Sequence, residues 1–216
     1  MHELTAELDR IEKREFDRNI LPGKGIIVGD DYVYLRVLDP SEKNYYMQVS
    51  QQCSTSADSF EEIKESLWQS FLSPNSYVCS IYEVKSDRYV GYCSIKELNV
   101  KDWEIAIELL EEHRNKRYGA HALELFLDKV TEITGNRFYK YLVDIDNIAS
   151  QKLVRHIGGY PDGLTEFILH GEELEQFRAE NIGLINENMI ELAEEFASDP
   201  EELIGMVLQY RIDRKP

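Results

Sequence analysis

Cysteine is scarce in this chain. Cys53, Cys79 and Cys93 are the only three among 216 residues. An odd, sparse set without CxxC spacing argues against a disulfide framework and against a cysteine-ligated zinc. Cys79 and Cys93 fall in apolar runs and are expected as small core residues. Long apolar runs are missing too. No stretch approaches the ~18 residues that a membrane-spanning helix needs, and the charged N-terminus does not resemble a secretory signal. The cytoplasm is therefore the expected location, with no membrane partner. Positive charge is in deficit: 24 Lys and Arg stand against 41 Asp and Glu, a formal net charge of −17. Nucleic acid needs a basic face, so it is not an expected partner. An acidic surface can steer a cationic substrate, and it also serves plain solubility. The histidines have no i,i+4 pairing and no carboxylate framework, so no metal is expected. Internal repeats and low-complexity linkers are absent.

The composition is that of a soluble globular protein, 43% hydrophobic and 30% charged, long enough for one domain with an elaboration. Residues 4–16 have helical spacing and many charges, as a surface helix or frayed arm would. Leu21-Pro22-Gly23-Lys24-Gly25 is a break. Residues 26–28 and the alternating 32–38 predict strands. Asp39-Pro40-Ser41-Glu42 predicts a capped helix to about residue 51. A second helix is expected over 59–71, with Phe60, Ile63, Leu67 and Phe71 on one stripe. Strands over 77–84, 89–97 and 103–110, joined by short polar turns, predict an antiparallel meander. A helix over 120–134 should bury Leu123, Phe126, Leu127 and Val130 and end at Gly135-Asn136. Then follow a strand over 138–145, a short helix over 147–156 and a strand over 164–169. An acidic helical stretch over 172–198 has Leu174, Phe177, Ile182, Ile185, Ile190 and Phe196 as its apolar stripe and a break at Asn181-Ile182-Gly183. A last strand lies within 203–212.

One segment departs from the acidic background. Glu111-Glu112-His113-Arg114-Asn115-Lys116-Arg117-Tyr118-Gly119-Ala120 is a basic, glycine-containing turn between an apolar strand and an amphipathic helix. Backbone N–H groups at a helix start lack intrahelical acceptors and carry partial positive charge. With Arg114, Lys116 and Arg117 nearby, the turn suits a phosphate or pyrophosphate.

Taken in order, these elements resemble the GNAT superfamily of acyl-CoA-dependent N-acetyltransferases, over residues 32–169 and 203–212. Three motifs carry the resemblance. Glu104-Ile105-Ala106-Ile107-Glu108-Leu109 is similar to the family's fourth strand. Arg114-Asn115-Lys116-Arg117-Tyr118-Gly119-Ala120 is similar to its Arg/Gln-x-x-Gly-x-Gly/Ala loop, with Arg117 where the first glycine is usual. Asn147-Ile148-Ala149-Ser150, followed by Leu153 and Gly158, is similar to its Asn-x-x-Ser/Ala-x-x-Leu…Gly-Phe helix, with Gly159 in place of Phe. Leu35-Arg36-Val37-Leu38-Asp39 and Ser150 resemble the branch related to ribosomal-protein alanine N-acetyltransferases.

The resemblance implies an α+β fold. A mixed, mostly antiparallel central sheet would be splayed between strands 4 and 5, with helices on both faces. A helical insert (171–200) would precede the last strand. An N-terminal arm (1–25) would precede one acetyltransferase domain (26–216). It also implies acetyl-CoA as co-substrate and a primary amine as acceptor, either a cationic small molecule or a protein N-terminus. Leu109, Leu110 and Glu111 would pair with the pantetheine arm. Arg114, Asn115, Lys116, Arg117, Tyr118, Gly119 and Ala120 would cradle the pyrophosphate, with Lys116 and Arg117 either touching phosphate or solvated. Asn147 and Ser150 would reach the pantetheine, unless Asn147 only caps its helix. Glu104 and Glu108, four residues apart on one strand face, are the candidate general bases, or else charges on a half-exposed face. The tyrosine that often serves as general acid is replaced by Val154; His156, Tyr141 and Tyr160 are substitutes. The acidic insert would shape the acceptor site or form a homodimer contact. Two other functions are open: a non-catalytic acyl-CoA-binding module with the same fold, and a different nucleotide-phosphate binder. The meander before the basic turn disfavours the latter.

Overall fold

The computed structural model describes residues 16–53 and 57–215. The arm expected over residues 4–16 lies, apart from Phe16, outside the described residues. The chain divides into two compact units, one running up to Phe138 and resuming at Arg214, the other Tyr139–Asp213.

In the first unit five antiparallel neighbours follow chain order: β1 (Ile26–Gly29), β2 (Val33–Val37), β3 (Tyr77–Glu83), β4 (Arg88–Ile95) and β5 (Trp103–Leu109). Strand alternation gives this sheet two unlike faces. Leu35, Cys79, Ile81, Cys93 and Ile105 are buried on one side, as expected for the two cysteines. The helix α3 (Tyr118–Thr134) covers that side: Leu123, Phe126, Leu127 and Val130 are all fully buried, and Phe126 stacks on Tyr77 at 6.0 Å. Full burial of each such side chain is worth about 1.5–3 kcal/mol. The helix stops at Gly135, where a left-handed φ of 70° turns its N–H back to the Thr131 carbonyl.

The opposite face is polar and aromatic. Register places Arg36 beside Ser80, Ser80 beside Tyr92 and Tyr92 beside Glu108. Two helices pack on it, α1 (Lys43–Cys53) and α2 (Ala57–Phe71), through Tyr46, Val49 and Trp68 against Val78, Tyr82, Tyr89, Tyr92 and Leu110. Asp39 caps as expected, and with Glu42 it forms a capping box ahead of α1, around one 3-10 turn (Pro40–Glu42). On α2 Phe60 and Trp68 are buried, and Leu67 and Phe71 are partly buried beside them. Ile63, expected on the stripe, lies on its flank and is exposed. An extra residue in β4, Val90, interrupts the register between Ile81 and Tyr82. This bulge turns Tyr89 onto the face of Tyr82 and Tyr92. Gly91 faces Leu109 there, and a Cβ on it would lie 2.1 Å from the Glu108 carbonyl oxygen. Only glycine lets β4 and β5 close at this point.

In the second unit β8 (Met206–Asp213) lies between β6 (Phe138–Asp144) and β7 (Tyr160–Glu166), and β7 and β8 are antiparallel. The strand expected over 164–169 starts and ends earlier. Pro161 is accommodated where the register with β8 shifts, and Phe167 and Ile168 are exposed beyond the end. The helix α4 (Ile148–His156) follows β6. The acidic insert forms two helices, α5 (Gly171–Asn181) and α6 (Glu187–Phe196), broken by a 3-10 turn (Ile182–Leu184) as expected. Its apolar stripe is the expected one in part: Leu174 and Phe196 are buried. Met189, Leu192, Ala193 and Phe196, at i, i+3, i+4 and i+7, are buried on α6, while Phe177, Ile182 and Ile190 are exposed. The break resets the helical phase, so one stripe cannot run through both halves. No helix among the described residues is long and apolar enough to cross a membrane.

Candidate active site

The basic turn lies where the motif placed it. β5 ends at Leu109, a 3-10 turn (Glu111–His113) follows, and α3 begins at Tyr118. Tyr32 pins the turn: its hydroxyl donates to the Lys116 carbonyl at 2.8 Å and its ring stacks on Tyr118 at 4.9 Å. The Tyr118 hydroxyl in turn donates to Glu83. Inside α3 the His121 N–H bonds the Arg117 carbonyl at 3.2 Å. The N–H groups of Tyr118, Gly119 and Ala120 precede it and point out of the helix end. Lys116 and Arg117 are exposed and form no ion pair among the described residues. Free N–H groups, the positive end of a 17-residue helix and two unpaired cations fit a pyrophosphate.

Two loop residues are unlike the simple expectation. Arg114 folds back: its Nε donates to the Leu109 carbonyl at 3.1 Å and a terminal nitrogen lies 3.3 Å from Cys53 Sγ. Arg117, standing where glycine is usual, is left-handed with φ 65° and ψ 0°. The position therefore demands the conformation that glycine provides, and an L-residue pays about 1–2 kcal/mol to hold it. Arg117→Gly is expected to relieve that strain. Allowing for the greater freedom of glycine in the unfolded chain, stability should rise by about 0.5–1 kcal/mol. Thermal denaturation should show this as a shift of about 1–4 °C upward.

The strand edge expected to meet pantetheine is already hydrogen-bonded by the chain's own side chains. Leu109 C=O accepts from Arg114, and Glu111 N–H donates to Gln52 Oε1 at 2.9 Å. Leu110 N–H bonds the Val90 carbonyl at 3.0 Å. A ligand amide would exchange with Gln52 and Arg114, one hydrogen bond for another.

The two candidate bases are unequal. Glu104 is ion-paired with Lys96 and partly exposed. Glu108 is largely enclosed beneath α1, and its Oε2 is buried with no partner among the described residues. Burial pushes the Glu108 carboxyl above its usual range. The Tyr92 hydroxyl, Lys96, the Cys53 thiol and Arg114 oppose that shift without cancelling it. Cys53, though exposed at the end of α1, has its thiol pushed up to about 11 by partial desolvation and then by the Glu108 charge. Glu108 is thus a proton acceptor poised nearer neutral pH than an ordinary carboxylate.

In the second unit Asn147 caps α4, its Oδ1 accepting from Ser150 N–H at 3.0 Å. Ser150 Oγ lies 3.5 Å from the Tyr141 hydroxyl. Val154 is fully buried and carries no proton. Gly159 is needed for close packing, since a Cβ there would lie 2.5 Å from Val154 Cγ2. Of the substitute acids, Tyr160 donates to Asp213 at 3.0 Å. Among the described residues no three side chains are grouped to hold a metal. Sequence reasoning missed Gln52, Cys53, Tyr32 and Tyr92. Tyr92 was reachable from the alternation of β4. The others depend on contacts between residues distant in the chain.

A family model of the acetyltransferase (GNAT) domain matches residues 30–159. No curated protein sequence matches the chain. Solved structures share its fold. A spermidine N-acetyltransferase from Vibrio cholerae, in complex with CoA and spermine, superposes with a TM-score of 0.58 at 14% identity, covering 85% of this chain and 96% of that one. RimJ from Mycobacterium smegmatis, in complex with CoA-disulfide, gives 0.55 at 14% identity, covering 88% and 86%. The strand, basic turn and helix that carry Glu108 and the free N–H groups all lie within the matched residues. The chain belongs to the GNAT acetyltransferase family and is an N-acetyltransferase that uses acetyl-CoA as co-substrate.

Proposed function

We propose that Glu108 is the general base, that residues 114–120 cradle the CoA pyrophosphate, and that the acceptor is a primary amine attacking in a ternary complex. The observation that carries this is the Glu108 Oε2 atom, buried and unpartnered on the strand that feeds the basic turn. The amine nitrogen attacks the thioester carbonyl and a C–N bond forms. Glu108 takes the proton that the nitrogen sheds. The C–S bond breaks, and the departing thiolate is protonated by water, since Val154 stands where an acid is common. A backbone N–H near Leu109 polarises the carbonyl.

Leu109 C=O and Glu111 N–H take the pantetheine amides once Arg114 and Gln52 are displaced, whereas the Leu110 backbone, expected to join them, stays bonded to Val90 and His113. Asn147 uses its oxygen for the helix cap, so its side-chain NH₂ and the Ser150 hydroxyl are the groups assigned to a ligand carbonyl. Glu104, paired with Lys96, contributes charge rather than proton transfer. Isothermal titration with CoA, followed by thiol release from acetyl-CoA over an amine panel, tests the reading. CoA binding with turnover of at least one amine is expected. CoA binding without any turnover favours the non-catalytic module. That alternative is motivated by Arg117, Val154 and Gly159.

A further inference from the structure

Where β5 ends, its backbone bonds in two ways. Leu110 is held by main chain: its N–H bonds the Val90 carbonyl at 3.0 Å, and its carbonyl accepts from His113 N–H at 2.9 Å. The groups on either side of it are taken by side chains. Gln52 Oε1 accepts from Glu111 N–H at 2.9 Å, and Arg114 Nε donates to the Leu109 carbonyl at 3.1 Å. Gln52 is exposed in the last turn of α1, and ordering a long exposed side chain costs conformational entropy. Together the two side chains offer this edge one amide oxygen and one N–H donor. A pantetheine arm offers the same pair, an amide carbonyl and an amide N–H.

The same turn of α1 is fixed at two more points. A terminal nitrogen of Arg114 lies 3.3 Å from Cys53 Sγ, and Ser50 Oγ lies 3.5 Å from the Tyr92 hydroxyl. Tyr92 stands opposite Glu108 in the register of β4 and β5. Ser50, Gln52 and Cys53 thus tie the end of α1 to the two strands at the place where the Glu108 carboxylate is enclosed.

We infer that Gln52 and Arg114 are an internal pseudo-ligand: in the free enzyme they occupy the edge that pantetheine takes, and the cofactor releases the last turn of α1 by displacing them. This autoinhibitory contact rests on the assignment of the pantetheine arm to Leu109 and Glu111. A site that must first be vacated binds with an affinity reduced by the fraction of molecules in which it is vacant. Removing the internal occupant therefore tightens the ligand, whereas removing a residue that shapes the site would loosen it. Cys53 reports the release. Its thiol is held up at about 11 by partial desolvation and then by the Glu108 charge, and the thiolate is the form that reacts. Freed from both, it reacts faster. Cys79 and Cys93 are buried, so Cys53 is the exposed one of the three.

The test uses the full chain and acetyl-CoA, which has no free thiol. Titration calorimetry of Gln52→Ala is expected to give a Kd about two- to tenfold lower than that of the wild type, the worth of one neutral hydrogen bond. Iodoacetamide labelling of Cys53 in the wild type, read by mass spectrometry, is expected to quicken at least about threefold at saturating acetyl-CoA. Equal or weaker affinity in Gln52→Ala overturns the inference, as does labelling that is unchanged or slower with the ligand. The backbone amide NMR signal of Glu111 separates this failure from failure of the assignment beneath it. A signal that moves with acetyl-CoA, while Gln52→Ala binds no tighter, removes the pseudo-ligand and keeps the pantetheine assignment. A signal that stays in place at saturation removes both.

Discussion

Glu108→Gln is expected to lower kcat by about 10²–10⁴-fold, the usual contribution of a positioned general base, with CoA affinity unchanged. The residue is nearly isosteric, so strand β5 and its pairing with Tyr92 should survive. The same enzyme with Glu104→Gln should lose less than about tenfold, since Glu104 is held in an ion pair by the half-exposed Lys96. The pH profile adds a second reading. A base works ionised, so activity falls as pH drops through its pKa. Burial raises that pKa above the usual carboxylate range, and the acidic limb of kcat/KM should lie correspondingly higher than an ordinary glutamate would place it. Glu108→Gln should abolish that limb.

The raised pKa also has a stability consequence. The folded state holds the proton more tightly than the unfolded chain does, so stability falls as pH rises from the unfolded value through the folded one. At neutral pH the buried charge is therefore a liability. Glu108→Gln should melt at a higher temperature than the wild type while being catalytically crippled. A Glu108 that served the fold would behave in the opposite way.

Gly119→Val is expected to reduce CoA affinity by more than about 100-fold, equivalent to losing two charge-assisted hydrogen bonds of about 1.5–3 kcal/mol each. Gly119 is buried in the first turn of α3, between Tyr118 and Ala120, whose N–H groups share its orientation. A β-branched side chain there stands in the approach of a phosphate to the helix end. The helix itself tolerates valine at a cost below about 1 kcal/mol, and circular dichroism should remain that of the wild type. Titration calorimetry with CoA reads the effect. An unchanged affinity would mean that the phosphates bind elsewhere.

Much of the architecture was legible from periodicity. Leu123, Phe126, Leu127 and Val130 repeat at helical spacing, and all four are buried. The meander β3–β4–β5 followed from alternating runs cut by polar turns. Register was not legible. The Val90 bulge, which turns Tyr89 onto the face of Tyr82 and Tyr92, arises only when β4 is set against β3. The acidic insert misled because charged residues dilute its pattern: Ile182 and Ile190 fit a continuous helix, but the turn at Ile182–Leu184 rotates α6 to bury Met189 and Leu192 instead. In the site, the loop and the two glutamates were found by motif, and the capping role of Asn147 by residue type. Which glutamate is buried, and that Gln52 and Arg114 hold the strand edge, depends on how α1 lies over β5. The left-handed backbone of Arg117 was posed as a question by the missing glycine. Its φ of 65° answers that the turn needs glycine-like geometry and is strained without it.

The most direct test of the central claim is a crystal structure of the enzyme with CoA. The pyrophosphate is expected within hydrogen-bond distance of the N–H groups of Tyr118, Gly119 and Ala120, with pantetheine amides replacing Gln52 at Glu111 N–H and Arg114 at Leu109 C=O. Phosphates bound away from residues 114–120, with Gln52 and Arg114 still in place, would contradict it.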